Sequence, residues 1–442
     1  MDSNTRAVFV QACHNGRANS SGSAGNENNF VVECLFWHEI IHKDFIAYMQ
    51  YEQPASLPKP DELSAEHSAR VRDNLHEKIA DAGGHISFAE FMHEALYAPG
   101  LGYYTAGSAK FGADGDFVTA PEVSPVFGRV LARQCAEVLG EIDSGEVLEI
   151  GAGSGRLAVD MLSAFDALDA VPATYRILEV SPDLAGQQQK KLREELPQLV
   201  DRVQWLSDLP PTFSGVVVAN EVLDALPIER FVRRASGVFR LCVTTDGEEF
   251  AWLEEEAPER LEAAVLAIEA EIGQVFPEGY TSEVSLAAPA WMADIARSLN
   301  LGALFLFDYG VSRREYYAPD RADGWLRCHY RHYAHSNPLI HPGIQDLTAW
   351  IDFSSIAAAA CDAGLDILGY QTQSQFLMGG GLEIEMQGFR DLPMPRQLEL
   401  SGQIKTLTLP GEMGENFKCM ALGRGDIATP SAFNFADRTQ TL

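Results

Sequence analysis

Glu146-Val147-Leu148-Glu149-Ile150-Gly151-Ala152-Gly153-Ser154-Gly155-Arg156 is the stretch on which the reading of this chain turns. A short apolar run bounded by glycine reads as a buried strand. Here the run ends in three glycines at alternate positions, and Leu157-Ala158-Val159-Asp160-Met161-Leu162 then reads as the first turns of a helix. Strand, glycine turn and helix open a doubly wound α/β domain, whose ligand sits beyond the carboxyl ends of the strands. Glycine lets the backbone pass close to that ligand, because a Cβ there would fill its space.

The spacing narrows the ligand. A dinucleotide fingerprint, Gly-x-Gly-x-x-Gly/Ala, would have its last small residue where Arg156 stands. This chain has Gly151, Gly153 and Gly155 instead, preceded by Glu149 at the strand end. That variant resembles motif I of class I S-adenosyl-L-methionine (AdoMet) methyltransferases. A carboxylate suits the ammonium and sulfonium of AdoMet and would repel a pyrophosphate. From these residues alone, a dinucleotide enzyme and a purely structural glycine turn stay open.

Composition removes several classes. At 442 residues the chain can hold one large or two ordinary domains. No apolar run is long enough to span a bilayer, which argues against membrane insertion. The seven cysteines include no Cys-x-x-Cys pair, so a disulfide framework or zinc ribbon is not expected and a reducing compartment fits. The net charge is −30, from 63 acids against 33 bases. Such a chain has no general attraction for nucleic acid or anionic membrane. The charge favours a basic substrate, and also serves plain solubility.

Residues 1–60 read as a disordered leader and linker, rich in Gly, Ser and Asn between Asn15 and Asn29. No signal-peptide pattern is present, and Met49 is an alternative first residue. His38-Glu39-Ile40-Ile41-His42 matches the His-Glu-x-x-His zinc pattern. It lacks a third ligand at the expected spacing and a scaffold upstream, so no metal is assigned. Residues 61–135 read as an N-terminal helical segment: a helix over His67–Ala82, then a second opened by the capping-box pattern Ser87-Phe88-Ala89-Glu90.

Several longer strings are more specific than the glycine turn. Gly115-Asp116-Phe117-Val118-Thr119-Ala120-Pro121-Glu122-Val123-Ser124 and Ala219-Asn220-Glu221-Val222-Leu223-Asp224-Ala225-Leu226-Pro227 are two of them. Asp308-Tyr309-Gly310, Pro342-Gly343-Ile344-Gln345-Asp346-Leu347-Thr348 and Met413-Gly414-Glu415-Asn416-Phe417-Lys418 are three more. Together they resemble the signatures of the MidA family of AdoMet-dependent methyltransferases over about residues 70–424. The family's eukaryotic member is the mitochondrial arginine methyltransferase that assists complex I assembly. The resemblance implies an α/β, doubly wound, Rossmann-like class I methyltransferase sheet and AdoMet as cofactor. It also implies a protein substrate with an exposed arginine, with a complex I subunit as partner. The location would be cytoplasmic in a bacterium, or the mitochondrial matrix in a eukaryote, although no clear targeting peptide is present.

The residues themselves agree with that fold. Tyr175–Val180 reads as a second strand ending in Glu179, an acid placed to accept ribose hydroxyls. Asp208 follows a third strand, Val203–Leu206, where an adenine-contacting acid would sit. Val216–Ala219 reads as a fourth strand, delivering Asn220 and Glu221 beside the methyl group; a hydrogen-bonded strand terminus is the plain alternative. Ala303–Phe307 reads as a fifth, ending at Asp308. Asp116 and Thr119 are candidate cofactor contacts in their loop. Phe231–Trp252 reads as a hairpin turning at Asp246-Gly247, followed by an acid-rich helix over Glu254–Ile272. These form an α+β insertion, about 228–300, in a methyltransferase domain spanning 136–424.

His329, His332 and His335, near Arg331 and His341, read as hydrogen-bonding or substrate contacts rather than a metal cluster. Ile404–Thr408 and Phe417–Leu422 read as a closing antiparallel pair, and residues 425–442 as a disordered tail. The expected reaction is methyl transfer to a protein arginine. Carboxylates would hold the guanidinium and help remove its proton: Glu221 first, with Asp224, Glu283 and Asp308 as further candidates. A small-molecule acceptor and an AdoMet-binding assembly factor are the alternatives.

Overall fold

The computed structural model describes residues 57–106 and 118–442. The leader, the His38–His42 motif and Asp116 lie outside the described residues. The central sheet runs β15 (Asp366–Thr372), β16 (Phe417–Arg424), β10 (Leu299–Val311), β5 (Phe213–Asn220), β2 (Glu146–Ile150), β3 (Tyr175–Leu178), β4 (Val203–Leu206). Strands β10, β5, β2, β3 and β4 are parallel neighbours, whereas β16 runs antiparallel to both β10 and β15. From β2 the chain passes outward to β3 and β4, then returns to the other side of β2 as β5. That reversal is the topological switch point, so the carboxyl ends of β2 and β5 border the ligand crevice.

The apolar runs found in the sequence are these strands because both sheet faces are covered. Val147, Val216, Val218, Phe305 and Phe307 face a layer that includes the helices Pro125–Leu139 and Arg156–Ala167. Leu148, Val217, Leu304 and Leu306 face a layer that includes the helices Ala288–Ser298 and Phe353–Asp362. The helix Ala288–Ser298 therefore belongs to the main domain, and the inserted lobe ends before it.

The lobe is a second, antiparallel sheet. Its meander of β6 (Glu229–Arg234), β7 (Gly237–Asp246) and β8 (Glu249–Glu256) turns at Asp246-Gly247 as expected. Strand β9 (Thr281–Val284) pairs with β6. The lobe helix is Glu259–Ile272, starting five residues later than the acid pattern suggested, because Pro258 sets its N-terminus and Glu254–Glu256 extend β8. The N-terminal segment is not purely helical: β1 (His85–Ser87) pairs with β7. Beyond it, the helix Phe88–Tyr97 carries the expected Ser87/Glu90 capping box. A further small sheet, β12 (Tyr333–His335), β11 (Leu326–Tyr330) and β13 (Asp346–Ala349), had no expectation in the sequence.

Two expectations at the end of the chain are corrected. Ile404–Thr408 is not a strand; it is the last part of the helix Met394–Thr408, which opens after Pro393 with Pro395 in its first turn. The partners of Phe417–Leu422 are β10 and β15, which bury them from both edges. Residues 425–442 are no disordered tail. Ala432 and Phe433 are buried in the main core, and the space beside Phe433 exists because residue 369 is glycine.

Candidate functional site

The glycine turn after β2 is built as its spacing required. Gly151, Gly153 and Gly155 have φ of 66°, 51° and 78°, the left-handed region that glycine enters freely. A Cβ on Gly155 would lie 3.2 Å from Gln188 Cγ. Gln188, fully buried, carries no signal in the sequence that would select it. Its Nε2 donates to the Gly153 carbonyl and to Glu179 Oε2, both at 2.9 Å. Its Oε1 accepts from Trp205 Nε1 at 3.0 Å. One side chain thus ties the glycine turn to the acid after β3 and to β4.

Glu179 stands at the end of β3, as expected, also accepting from the Ser181 amide at 2.9 Å. Burial raises its pKa, while the donors around it pull the other way. Asp208 is exposed after β4, where the Ser207 hydroxyl donates to it. Glu149 does not reach the crevice as a free carboxylate. It is 2% exposed, accepts from the Tyr175 hydroxyl at 2.6 Å, and burial lifts its pKa to about 7. It lies beneath the turn, held by the Tyr175 hydroxyl.

The second half of the site follows β5. Asn220 ends the strand, with its Nδ2 donating to Glu221 Oε1 at 3.1 Å and its Oδ1 buried without a partner among the described residues. Glu221 has φ +51°, an uncommon conformation for a non-glycine residue and one that recurs at functional positions. Its amide donates to the Phe307 carbonyl at 2.8 Å, which fixes the departure from the sheet. The residue is half-buried, with its carboxylate surrounded by protein. Burial, then the neighbouring Asp224 charge, raises its pKa to about 8, against hydrogen bonds from Asn220 and the Ala120 backbone.

Asp224 and Asp308 lie with it, but with different work to do. Asp308 is 1% exposed; its Oδ2 accepts from the Leu223 and Asp224 amides at 3.0 and 3.2 Å, and its Oδ1 from the Tyr309 amide at 2.9 Å. It shapes the Leu223-Asp224 turn, and burial with two acidic neighbours raises its pKa well above the usual carboxylate range. Asp224 accepts from the Tyr309 hydroxyl, and burial raises its pKa to about 6. A fourth acid, Asp346 of β13, is 1% exposed and accepts from the Tyr104 hydroxyl at 2.9 Å. It acts electrostatically on Glu221. Tyr104 stacks on Tyr97, whose hydroxyl donates to the Ala225 carbonyl at 3.0 Å. Of the four acids, Glu221 alone keeps appreciable exposure.

Glu283 does not join them. It is fully buried in β9, accepts from the Trp325 amide at 2.9 Å, and pairs with Arg230 at 3.3 Å. Those partners make it a structural anion of the lobe. Thr119 precedes the short helix Ala120–Val123 without a side-chain cap bond. In that helix Glu122 accepts from the Ser154 hydroxyl of the glycine turn, a contact the sequence did not single out. The histidine series has a backbone origin: Arg331 and His332, with φ of 49° and 65°, form the turn between β11 and β12.

The residues fit AdoMet. A turn of left-handed glycines, an acid after the neighbouring strand and a buried Asn220 oxygen with no partner among the described residues border the crevice at the switch point.

Comparisons with known proteins agree. Residues 130–371 match the model of a family described as "Putative S-adenosyl-L-methionine-dependent methyltransferase". The protein arginine methyltransferase NDUFAF7, mitochondrial, of Danio rerio is 30% identical over 379 residues, 79% of this chain and 85% of its own length. Its Mus musculus counterpart is 30% identical over 374 residues, covering 77% and 81%. A crystal structure of a COG1565 superfamily member from Burkholderia thailandensis, bound to S-adenosyl-homocysteine, superposes with a TM-score of 0.82 at 39% identity. It covers 88% of this chain and 100% of that one. With its class I sheet, its glycine turn and these relatives, the chain belongs to the MidA family of AdoMet-dependent methyltransferases.

Proposed function

We propose that this enzyme methylates an arginine side chain of a protein substrate, with Glu221 and Asp224 receiving the guanidinium. The observation that carries this reading is the pairing at the end of β5. Two adjacent carboxylates, one on a half-buried residue and one on a buried residue, have no Lys, Arg or His ion-paired with them among the described residues. Their raised pKa values mark sites where negative charge is poorly compensated, and a guanidinium is a permanent cation that binds carboxylates through directed hydrogen bonds. Bound AdoMet supplies an electrophilic methyl group on sulfonium. Glu221, hydrogen-bonded by the Asn220 amide, is drawn into its ionised form by the arriving guanidinium, orients the acceptor nitrogen and takes up the proton it releases. Asp308 keeps the Leu223-Asp224 turn in shape. The names of the Danio rerio and Mus musculus relatives support arginine as acceptor. A respiratory complex I subunit is the first protein to test, as the family resemblance implies. The bacterial cytoplasm, or the mitochondrial matrix in a eukaryote, is where the reaction would occur.

The test incubates purified enzyme and methyl-labelled AdoMet with a lysate lacking its own copy of the gene. The expected result is a labelled protein whose methyl maps to arginine by mass spectrometry. Glu221→Gln should lower labelling by about 100-fold or more, with AdoMet affinity by calorimetry nearly unchanged. Label confined to small molecules, or full labelling by Glu221→Gln, would refute the assignment.

A further inference from the structure

The short helix Ala120–Val123 touches both halves of the site. At one end, the Ala120 backbone lies beside the Glu221 carboxylate and favours its charge. Two residues on, Glu122 accepts from the Ser154 hydroxyl, in the middle of the glycine turn. Ser154 is a junction: its oxygen also accepts from the Arg156 amide and from Lys191 Nζ, each at 3.2 Å. The donor to Glu122 is thereby fixed from three directions, by the first residue of the following helix, by a lysine of the helix Pro182–Glu195, and by Glu122 itself. The segment is also anchored behind, where the Ser124 hydroxyl donates to Gln403 Oε1 at 3.0 Å. Ala120 and Pro121 are buried, so the helix cannot slide without breaking packing.

We infer that Glu122 is a positioning residue for the cofactor, latching the glycine turn through Ser154. Because Glu122 and the Ala120 backbone beside Glu221 lie on one short helical turn, the latch also sets where Glu221 stands relative to the cofactor turn. Glycine gives Gly153 and Gly155 their left-handed conformations but does not favour that state over others. An external tie at Ser154, between those two glycines, selects it. Glu122 itself need not touch the cofactor. The inference rests on family membership and AdoMet dependence, not on arginine being the acceptor.

Calorimetry of S-adenosyl-homocysteine binding to the full chain tests it without any acceptor, with thermal unfolding measured alongside. Removing one partly buried, charge-assisted hydrogen bond should weaken binding about tenfold or more in Glu122→Ala. Glu122→Gln, whose amide oxygen can still accept from Ser154, should recover most of the affinity. Ser154→Ala should weaken binding similarly, and the double variant no more than either single one, the signature of a shared contact. A structural role alone would lower the melting temperature and leave the dissociation constant in place. Wild-type affinity in folded Glu122→Ala, loss in Glu122→Gln equal to that in Glu122→Ala, or additive losses in the double variant would overturn the latch. If Glu122→Ala does not fold, wild-type affinity in Ser154→Ala overturns it equally.

Discussion

Glu221 combines an unusual backbone conformation, a raised pKa and residual exposure. Each property has its own cause, and together they give a pH signature. In the unfolded chain Glu221 ionises near its ordinary value of 4.5; in the folded protein, at about 8. Between those values the folded state holds a proton that the unfolded state has lost. The stabilisation is therefore complete below about pH 4.5 and declines as the pH rises towards 8. Glu221→Gln, which cannot ionise, should match wild type in melting temperature near the lower limit and exceed it increasingly towards the upper one. Parallel melting curves across that range would show that the carboxylate is not held protonated. The same residue was legible in the sequence because a polar pair directly after an apolar strand has to emerge at the sheet's carboxyl edge. Gln188 was not legible, since a glutamine in a polar helix pattern carries no sign that it is fully buried and bonded to three elements.

At the scale of elements, the parallel strands were legible because each is one continuous apolar run buried on both faces. The last strand shows the limit. Phe417–Leu422 reads as a strand from the sequence, which offers the nearby Ile404–Thr408 as its partner, whereas β10 lies more than a hundred residues earlier. The C-terminal tail shows it again. Its polar composition conceals Phe433, which packs over Gly369 and lies 6.0 Å from the Phe376 ring between centroids. Phe433→Ala should cost about 3–5 kcal/mol of unfolding free energy, the usual penalty for emptying a buried aromatic site. Chemical denaturation measures it; a loss below about 1 kcal/mol would mean that the tail contributes little to the core.

The molecule as a whole carries a net charge of −30, and many of its ion pairs lie at or near the surface. Like-charge repulsion destabilises the compact state and is screened by salt, while exposed pairs contribute little. Raising sodium chloride from low to moderate concentration should therefore raise the melting temperature by a few degrees. A flat or falling response would mean that the ion pairs outweigh the net repulsion.

The sequence by itself determined the α/β class, the parallel strands, the glycine turn and the position of Glu221, because each depends on residues adjacent in the chain. Only the tertiary structure decided which acids meet. Asp346 is brought to the site by Tyr104, 242 positions away. Glu283, equally acidic in the sequence, is turned into a structural ion by Arg230 and the Trp325 amide. Glu149 is buried against the Tyr175 hydroxyl, which donates to it. A carboxylate's role depends on its burial and on what donates to it, and both are set by contacts that no local pattern encodes.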